Sequence, residues 1–173
     1  MKILSNVLKK TLPILLVVSG TQMIVQAQSP QPDKKAEKKA AIRSLVESQQ
    51  YDFKATSVTP MNGRSRLLTT DYDLMVTKES LVCYLPYFGR AYSAPIDPSQ
   101  GGIQFTSKDF DYALSNGKKG GWDIQIKPKD RRDVQQMNLS ISEDGYGTLQ
   151  VISTERQPIS FYGNIAAIKP AKK

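Results

Sequence analysis

The sequence predicts a mainly β protein of the α+β kind: an antiparallel, curved or partly closed sheet of about eight strands with one N-terminal helix. Two observations carry this expectation. From Tyr51 onward, apolar residues recur at every second position in short runs, which is the period of a strand with one packed face. Turn dipeptides punctuate the runs, among them Asn62-Gly63, Asn116-Gly117 and Asp144-Gly145. Such turns join neighbouring runs as antiparallel hairpins. One-faced alternation then sets one face against a core and leaves the other to water.

The chain begins with the parts of a secretory leader. Lys2, Lys9 and Lys10 form a basic start, residues 12–18 an apolar run interrupted by Pro13, and Val25 and Ala27 suit a peptidase cut before Gln28. A membrane-spanning helix needs roughly 20 apolar residues; this run is shorter, and no later segment is long enough. The expectation is a cleaved signal peptide over residues 1–27, with no transmembrane segment left after cleavage. No cysteine lies near the cut, so the exported product is not expected to be a lipoprotein. A linker follows over 28–34, then a single domain over 35–168 and a basic tail over 169–173.

The helix is expected at about 33–49. Asp33 suits an N-cap, Glu37 sits in the first turns where the helix dipole favours a negative charge, and lysine and alanine are strong helix formers. Ala41, Leu45 and Ser48 share one face, with Ile42 and Val46 beside them. Tyr51, Phe53 and Ala55 then alternate as a strand. Residues 60–70 read as a loop around Asn62-Gly63. Tyr72, Leu74 and Val76 alternate again, and Leu81 opens a near-continuous apolar run to Leu85, joined through Lys78-Glu79-Ser80. Further strands are read at 102–106, 110–114, 122–126, 137–141, 149–154 and 159–162.

The formal charge of +8 does not describe the folded part. The leader lysines, Lys34, Lys35, Lys38 and Lys39 against Asp33 and Glu37, and the tail lysines Lys169, Lys172 and Lys173 account for all of it. Residues 40–168 are electrically balanced, so no net basic field is available to steer a nucleic acid. The chain has no histidine and a single cysteine, Cys83. Ser-His-Asp and Cys-His catalysis are therefore excluded, as are histidine zinc sites. Cys83 sits in an apolar run and reads as a buried thiol. Gly117-Lys-Lys-Gly120-Gly121 lacks the spacing of a phosphate-binding loop and reads as a hairpin turn. Asp71 and Asp73, and Asp109 and Asp111, are spaced two apart, but a calcium loop opening at Asp109 would need glycine where Leu114 stands. No metal and no cofactor is expected.

The densest motif is Tyr84-Leu-Pro-Tyr-Phe-Gly-Arg-Ala-Tyr-Ser-Ala-Pro95. Its two prolines lack the donors that a ladder needs, and Gly89 permits a turn that a side chain would block. The favoured reading is a plug that folds over an open end of the sheet. The alternative is a ligand rim, with Tyr84, Tyr87, Arg90 and Tyr92 as its binding candidates and Arg90 placed to stack on a ring. Together with Met61-Asn-Gly-Arg-Ser65, Asp71-Tyr72, Gly101-Gly-Ile103 and Pro158-Ile-Ser-Phe-Tyr-Gly163, the motif resembles the family of domains of unknown function numbered 4251, over roughly residues 35–168. That resemblance implies a small exported bacterial protein. It implies no activity, cofactor or catalytic residue.

The functional expectation is an uncharacterised, exported, periplasmic or envelope-associated domain with a binding or structural role and no catalytic residues. Its partner would be a protein or glycan of the envelope. The competing reading is a carboxylate-dependent hydrolase acting on envelope or dietary glycans, with acids such as Asp71 and Asp73.

Overall fold

The computed structural model describes residues 34–92 and 101–169. The expected leader, the Asp33 cap and most of the basic tail lie outside the described residues. Within the compact unit Pro32–Lys173, the described residues form one α-helix, α1 (Lys34–Ser48), a short 3-10 turn at Lys118–Gly120 and nine strands. These are β1 (Tyr51–Pro60), β2 (Arg66–Val76), β3 (Leu81–Leu85), β4 (Ile103–Ser107), β5 (Phe110–Asn116), β6 (Trp122–Pro128), β7 (Val134–Ile141), β8 (Tyr146–Ser153) and β9 (Ile159–Ala166).

All nine belong to one sheet in the order β4-β3-β2-β1-β9-β8-β7-β6-β5, and every pairing is antiparallel. The sheet curls into a nearly closed, barrel-like layer. The antiparallel order fixes how the two outermost strands relate. Nine strands in an all-antiparallel row put the two outermost, β4 and β5, in the same direction. These two are consecutive in sequence, separated only by Lys108 and Asp109. They cannot form a hairpin. The chain instead runs on as one bent strand whose first half bonds to β3 and whose second half bonds to β6. Asp130 pins the bend: Ser107 Oγ donates to its Oδ1 at 2.5 Å and the Lys108 amide to its Oδ2 at 3.1 Å. These bonds hold the Asp130 carboxyl below its ordinary pKa, the Ser107 hydroxyl being the largest cause.

The core lies inside the curl. Phe53, Leu74, Leu139, Leu149, Ile159 and Phe161 are essentially inaccessible to solvent, and β7, β8 and β9 alternate as the sequence predicts. Cys83 is buried too, and burial raises its thiol pKa strongly, with smaller contributions from Asp73 and Asp133. Tyr51 and Tyr112 bring their hydroxyls within 3.3 Å of each other and so link β1 to the edge strand β5. Both phenols have raised pKa values, with burial as the largest cause.

Helix α1 covers one end of the barrel. Its buried residues are Ile42 and Val46, while Ala41, expected on the buried face, is exposed. The longer branched side chains define the face because they alone reach the core; alanine adds too little apolar surface to turn the helix toward it. Ile42 packs on the β7–β8 turn at Gly145, and Lys39 forms an ion pair with Glu143 of the same turn. Gln49 ends the helix with a left-handed φ of 53°, and its amide returns to the Val46 carbonyl.

The expected loop over residues 60–70 is shorter than predicted. β1 runs to Pro60 and β2 starts at Arg66, leaving only residues 61–65 as a turn. Nearly all of the first six residues of β2 are exposed, so no alternation marks them in the sequence. Ser57 and Val58 pair with Leu67 and Arg66, but Ala55 pairs with Tyr72. Residues 68–71 therefore bow outward opposite the single residue Thr56. The same residue is a bulge against β9, where Ala55 pairs with Gly163 and Ser57 with Tyr162.

Gly163 is required by this crossing, since a Cβ there would stand 1.9 Å from the Lys54 carbonyl oxygen. Gly163→Ala should therefore destabilise the domain by about 1–3 kcal/mol, the usual cost of overpacking. Thermal unfolding by circular dichroism checks this; an unchanged melting temperature would show that the β1–β9 crossing is slack.

Candidate functional site

Two regions of the outer surface bring chemistry-bearing residues together. The first is the motif segment. β3 ends at Leu85, and Pro86 is buried behind it. The chain then crosses the barrel end opposite α1 and docks on the β8–β9 connection. Arg90 O accepts the Gln157 amide at 3.1 Å, the Tyr92 amide donates to Glu155 O at 2.7 Å, and Ala91 and Arg156 form an isolated antiparallel bridge. The Tyr87 hydroxyl lies 2.8 Å from Arg90 O and 3.1 Å from Gln157 O, and shares its hydrogen between them. Gly89 makes this possible: a Cβ there would meet the Tyr87 phenol oxygen at 2.5 Å. Burial raises the Tyr87 pKa, while the Arg156 charge opposes the rise.

The four residues singled out in the sequence do not form one cluster. Tyr84 lies on the outer face of β3 and stacks on Tyr72, with ring centroids 5.5 Å apart. Tyr87 is an internal anchor. The cation over its ring is Arg156, at 5.2 Å, and not the Arg90 that the sequence suggested. The docking explains the exchange: residues 87–91 fold against residues 156–157, so the loop arginine reaches the ring face. Arg156 also donates to the Gly102 carbonyl at 2.8 Å. Arg90 and Tyr92 project outward, Tyr92 being 67% exposed, and the neighbouring Phe88 carries Arg66 over its ring at 5.3 Å. Arg66 and Arg156 went unnoticed in the sequence because neither stands in a motif; only the β-pairing brings them to this end.

The second region lies on the outer face of β1 and β2. Lys54 Nζ bridges Asp52 Oδ2 at 2.7 Å and Asp73 Oδ2 at 2.6 Å. Asp52 is only 5% exposed, and among the described residues no hydrogen-bond donor reaches its enclosed Oδ1. Burial raises its pKa; the Lys54 hydrogen bond opposes this and the Asp73 charge adds to it. Lys54 also loses hydration, but its bonds to both aspartates leave its pKa raised overall. These groups line a groove of about 570 Å³ together with Asp71, Tyr72 and Lys169. Of the acids named from sequence, Asp73 is thus ion-paired and Asp71 is exposed on the bowed part of β2. Asp52 gave no sequence signal, since it occupies an ordinary outward position in an alternating strand. Among the described residues, no group of three or more acids or thiols is arranged to hold a metal ion.

Residues 33–165 match the family model described as Domain of unknown function (DUF4251). The chain belongs to this family. The DUF4251 chain is also similar to the crystal structure of a DUF4251 family protein from Bacteroides eggerthii, at 16% identity and a TM-score of 0.55. The likeness covers 76% of this chain and 89% of that one, and it concerns the fold. No curated protein matches the chain.

Two outcomes follow for these regions. Tyr87→Phe should leave the β8–β9 connection less tightly held and cost about 0.5–1.5 kcal/mol, the usual net worth of a hydrogen bond. Amide exchange should speed up at Tyr92 and Gln157 and stay unchanged in β6 and β7; a uniform change would argue against a local anchor. For Asp52, the folded state holds its proton to higher pH than the unfolded chain. Its contribution to stability is therefore fullest below the unfolded pKa and is lost as pH rises through the raised folded value. A carbon-detected carboxyl titration should place its midpoint above the ordinary aspartate range, and Lys54→Met should move it higher still. A midpoint in the ordinary range would remove burial as the dominant influence.

Proposed function

We propose that this DUF4251 domain is a non-catalytic binding module, exported to the periplasm or otherwise held at the cell envelope without a lipid anchor. The leader-like N-terminus supports export. The binding reading rests on one observation: the backbone at Arg90 is fixed by two donors to its carbonyl, while its side chain and that of Tyr92 face solvent. A pinned backbone with an outward arginine and tyrosine is preorganised for contact, which lowers the entropy cost of binding. Arg66 approaches from the start of β2 over the ring of Phe88, which adds an aromatic face. Arginine and aromatic groups together suit an acidic partner, either an acidic peptide or a glycan bearing carboxylates.

The hydrolase reading has less support. Asp52 and Asp73 share one lysine, which holds both carboxylates and occupies the space between them. A glycosidase pair must instead face a scissile bond with one acid free to give its proton.

The test is isothermal titration of the chain with hexaglutamate and with trigalacturonate, using maltotriose as a neutral control. Binding of an acidic probe should weaken by about tenfold or more in Arg90→Ala/Tyr92→Ala, equivalent to about 1.4 kcal/mol, with melting behaviour unchanged. Tryptophan fluorescence is a poor reporter here, because Trp122 is buried at the opposite end of the barrel. Equal binding of maltotriose, or full binding by the double variant, would sink the proposal.

A further inference from the structure

We infer that Asn62 is a site of spontaneous covalent modification, converting to aspartate and isoaspartate by ring closure on the Gly63 nitrogen, and that the fold protects the chain's other Asn-Gly pair, Asn116-Gly117. The reaction needs water and no enzyme. The Gly63 amide nitrogen gives up its proton and attacks Asn62 Cγ. The new nitrogen–carbon bond closes a succinimide ring, and the Cγ–Nδ2 bond breaks to release ammonia, which takes up the proton. Water then opens the ring at either carbonyl. One opening gives aspartate and the other isoaspartate, in which the backbone runs through the former side chain. Each product carries a carboxylate where the neutral amide stood. Glycine favours the closure because no Cβ crowds the attacking nitrogen or restricts its backbone.

The two pairs share their sequence and their exposure, Asn62 and Asn116 both facing solvent. Their backbones differ. Asn62 and Gly63 lie in the turn between β1 and β2, and among the described residues no backbone carbonyl takes the Gly63 amide hydrogen. A Cβ on Gly63 would meet only the Pro60 ring, at 3.4 Å. Asn116 is the last residue of β5 and is held opposite Trp122. The Gly117 amide donates to Gly121 O at 2.9 Å, and a Cβ there would meet the backbone of Gly121 and Trp122 at 3.1 Å. Attack on Asn116 Cγ requires this nitrogen to leave its hydrogen bond. A nucleophile held away from its target forfeits the rate that positioning supplies, and the hairpin must open locally before it is released. The conversion of Asn62 also adds a negative charge to the turn that runs into Arg66, whose guanidinium lies over the Phe88 ring at 5.3 Å. On the reading of Arg90 and Tyr92 as an acidic-partner surface, that charge repels the partner. This consequence rests on that reading; the modification itself does not.

The folded chain is incubated in mildly alkaline buffer, which favours the deprotonated nitrogen, and peptides spanning each pair are followed by mass spectrometry. The Asn62 peptide should show the mass gain of amide-to-acid conversion, with aspartate and isoaspartate forms, about tenfold or more faster than the Asn116 peptide. In concentrated urea the two rates should converge, because the Gly117 hydrogen bond is then lost. Gly63→Ala should slow conversion at Asn62 by about tenfold or more and leave Asn116 unchanged. The fold should accept this variant, since Gly63 is not among the glycines with positive φ. The inference is overturned if the folded chain converts both pairs at the same rate, if Asn116 outpaces Asn62, or if the difference survives in urea, which would assign it to flanking sequence. Asn62→Asp, which places the carboxylate from the outset, should weaken hexaglutamate binding. Unchanged hexaglutamate binding would overturn the effect on the acidic-partner surface alone, because the modification is read separately by mass.

Discussion

The pairing of β1 with β9 is the constraint on which the rest of the molecule depends. Without it the chain holds two separate meanders, β1 to β4 and β5 to β9, each with an unprotected edge. The pairing joins residues more than a hundred positions apart, Asp52 with Ala166 and Thr59 with Ser160 among them. It sets the all-antiparallel order, and through parity that order makes β4 and β5 a single bent strand. The bend at Ser107 and Asp130 is thus a consequence of closure at the other side of the sheet.

The same strand creates the surface chemistry. Thr56 is the extra residue of β1 against β9, whereas on the other side it faces four residues of β2, 68–71; its hydroxyl donates to the Tyr162 carbonyl at 3.0 Å. The bulge leaves the pairing with β9 nearly continuous but drives residues 68–71 of β2 outward. Asp52 and Lys54 lie two residues apart on the face beside that gap, and Asp73 stands directly across from Lys54. Register therefore forms the ion-pair cluster: a slip of one residue would turn Lys54 into the core. Of the three groups only Asp52 is buried, while Lys54 and Asp73 keep part of their hydration, so the cluster is weak support for stability.

At the barrel end opposite the helix, residues 86–92 of the motif segment dock on the β8–β9 connection, while its last residues, 93–95, lie outside the described residues. Pro86 and the Tyr87 anchor belong to the architecture, and Tyr87 packs against the core cluster. The next turn carries Arg90 and Tyr92 outward. The hydrogen bonds that hold this segment use backbone groups and the Tyr87 hydroxyl, and leave the Arg90 side chain exposed.

The sequence by itself determined the elements with strong periodicity. The helix over 34–48, the buried run at 81–85 and the alternating strands after residue 110 all follow from local spacing, because side-chain direction along a helix or strand is fixed by backbone geometry. The missing histidines and the single buried cysteine removed whole classes of chemistry for the same local reason: a side chain that is absent cannot act. Tertiary structure alone decided the rest. That β1 meets β9, that 66–67 belong to a strand, that Arg156 rather than Arg90 caps Tyr87, and that Asp52 is enclosed all depend on partners distant in sequence. Each is fixed by pairing and burial, and neither quantity is defined until the sheet has closed.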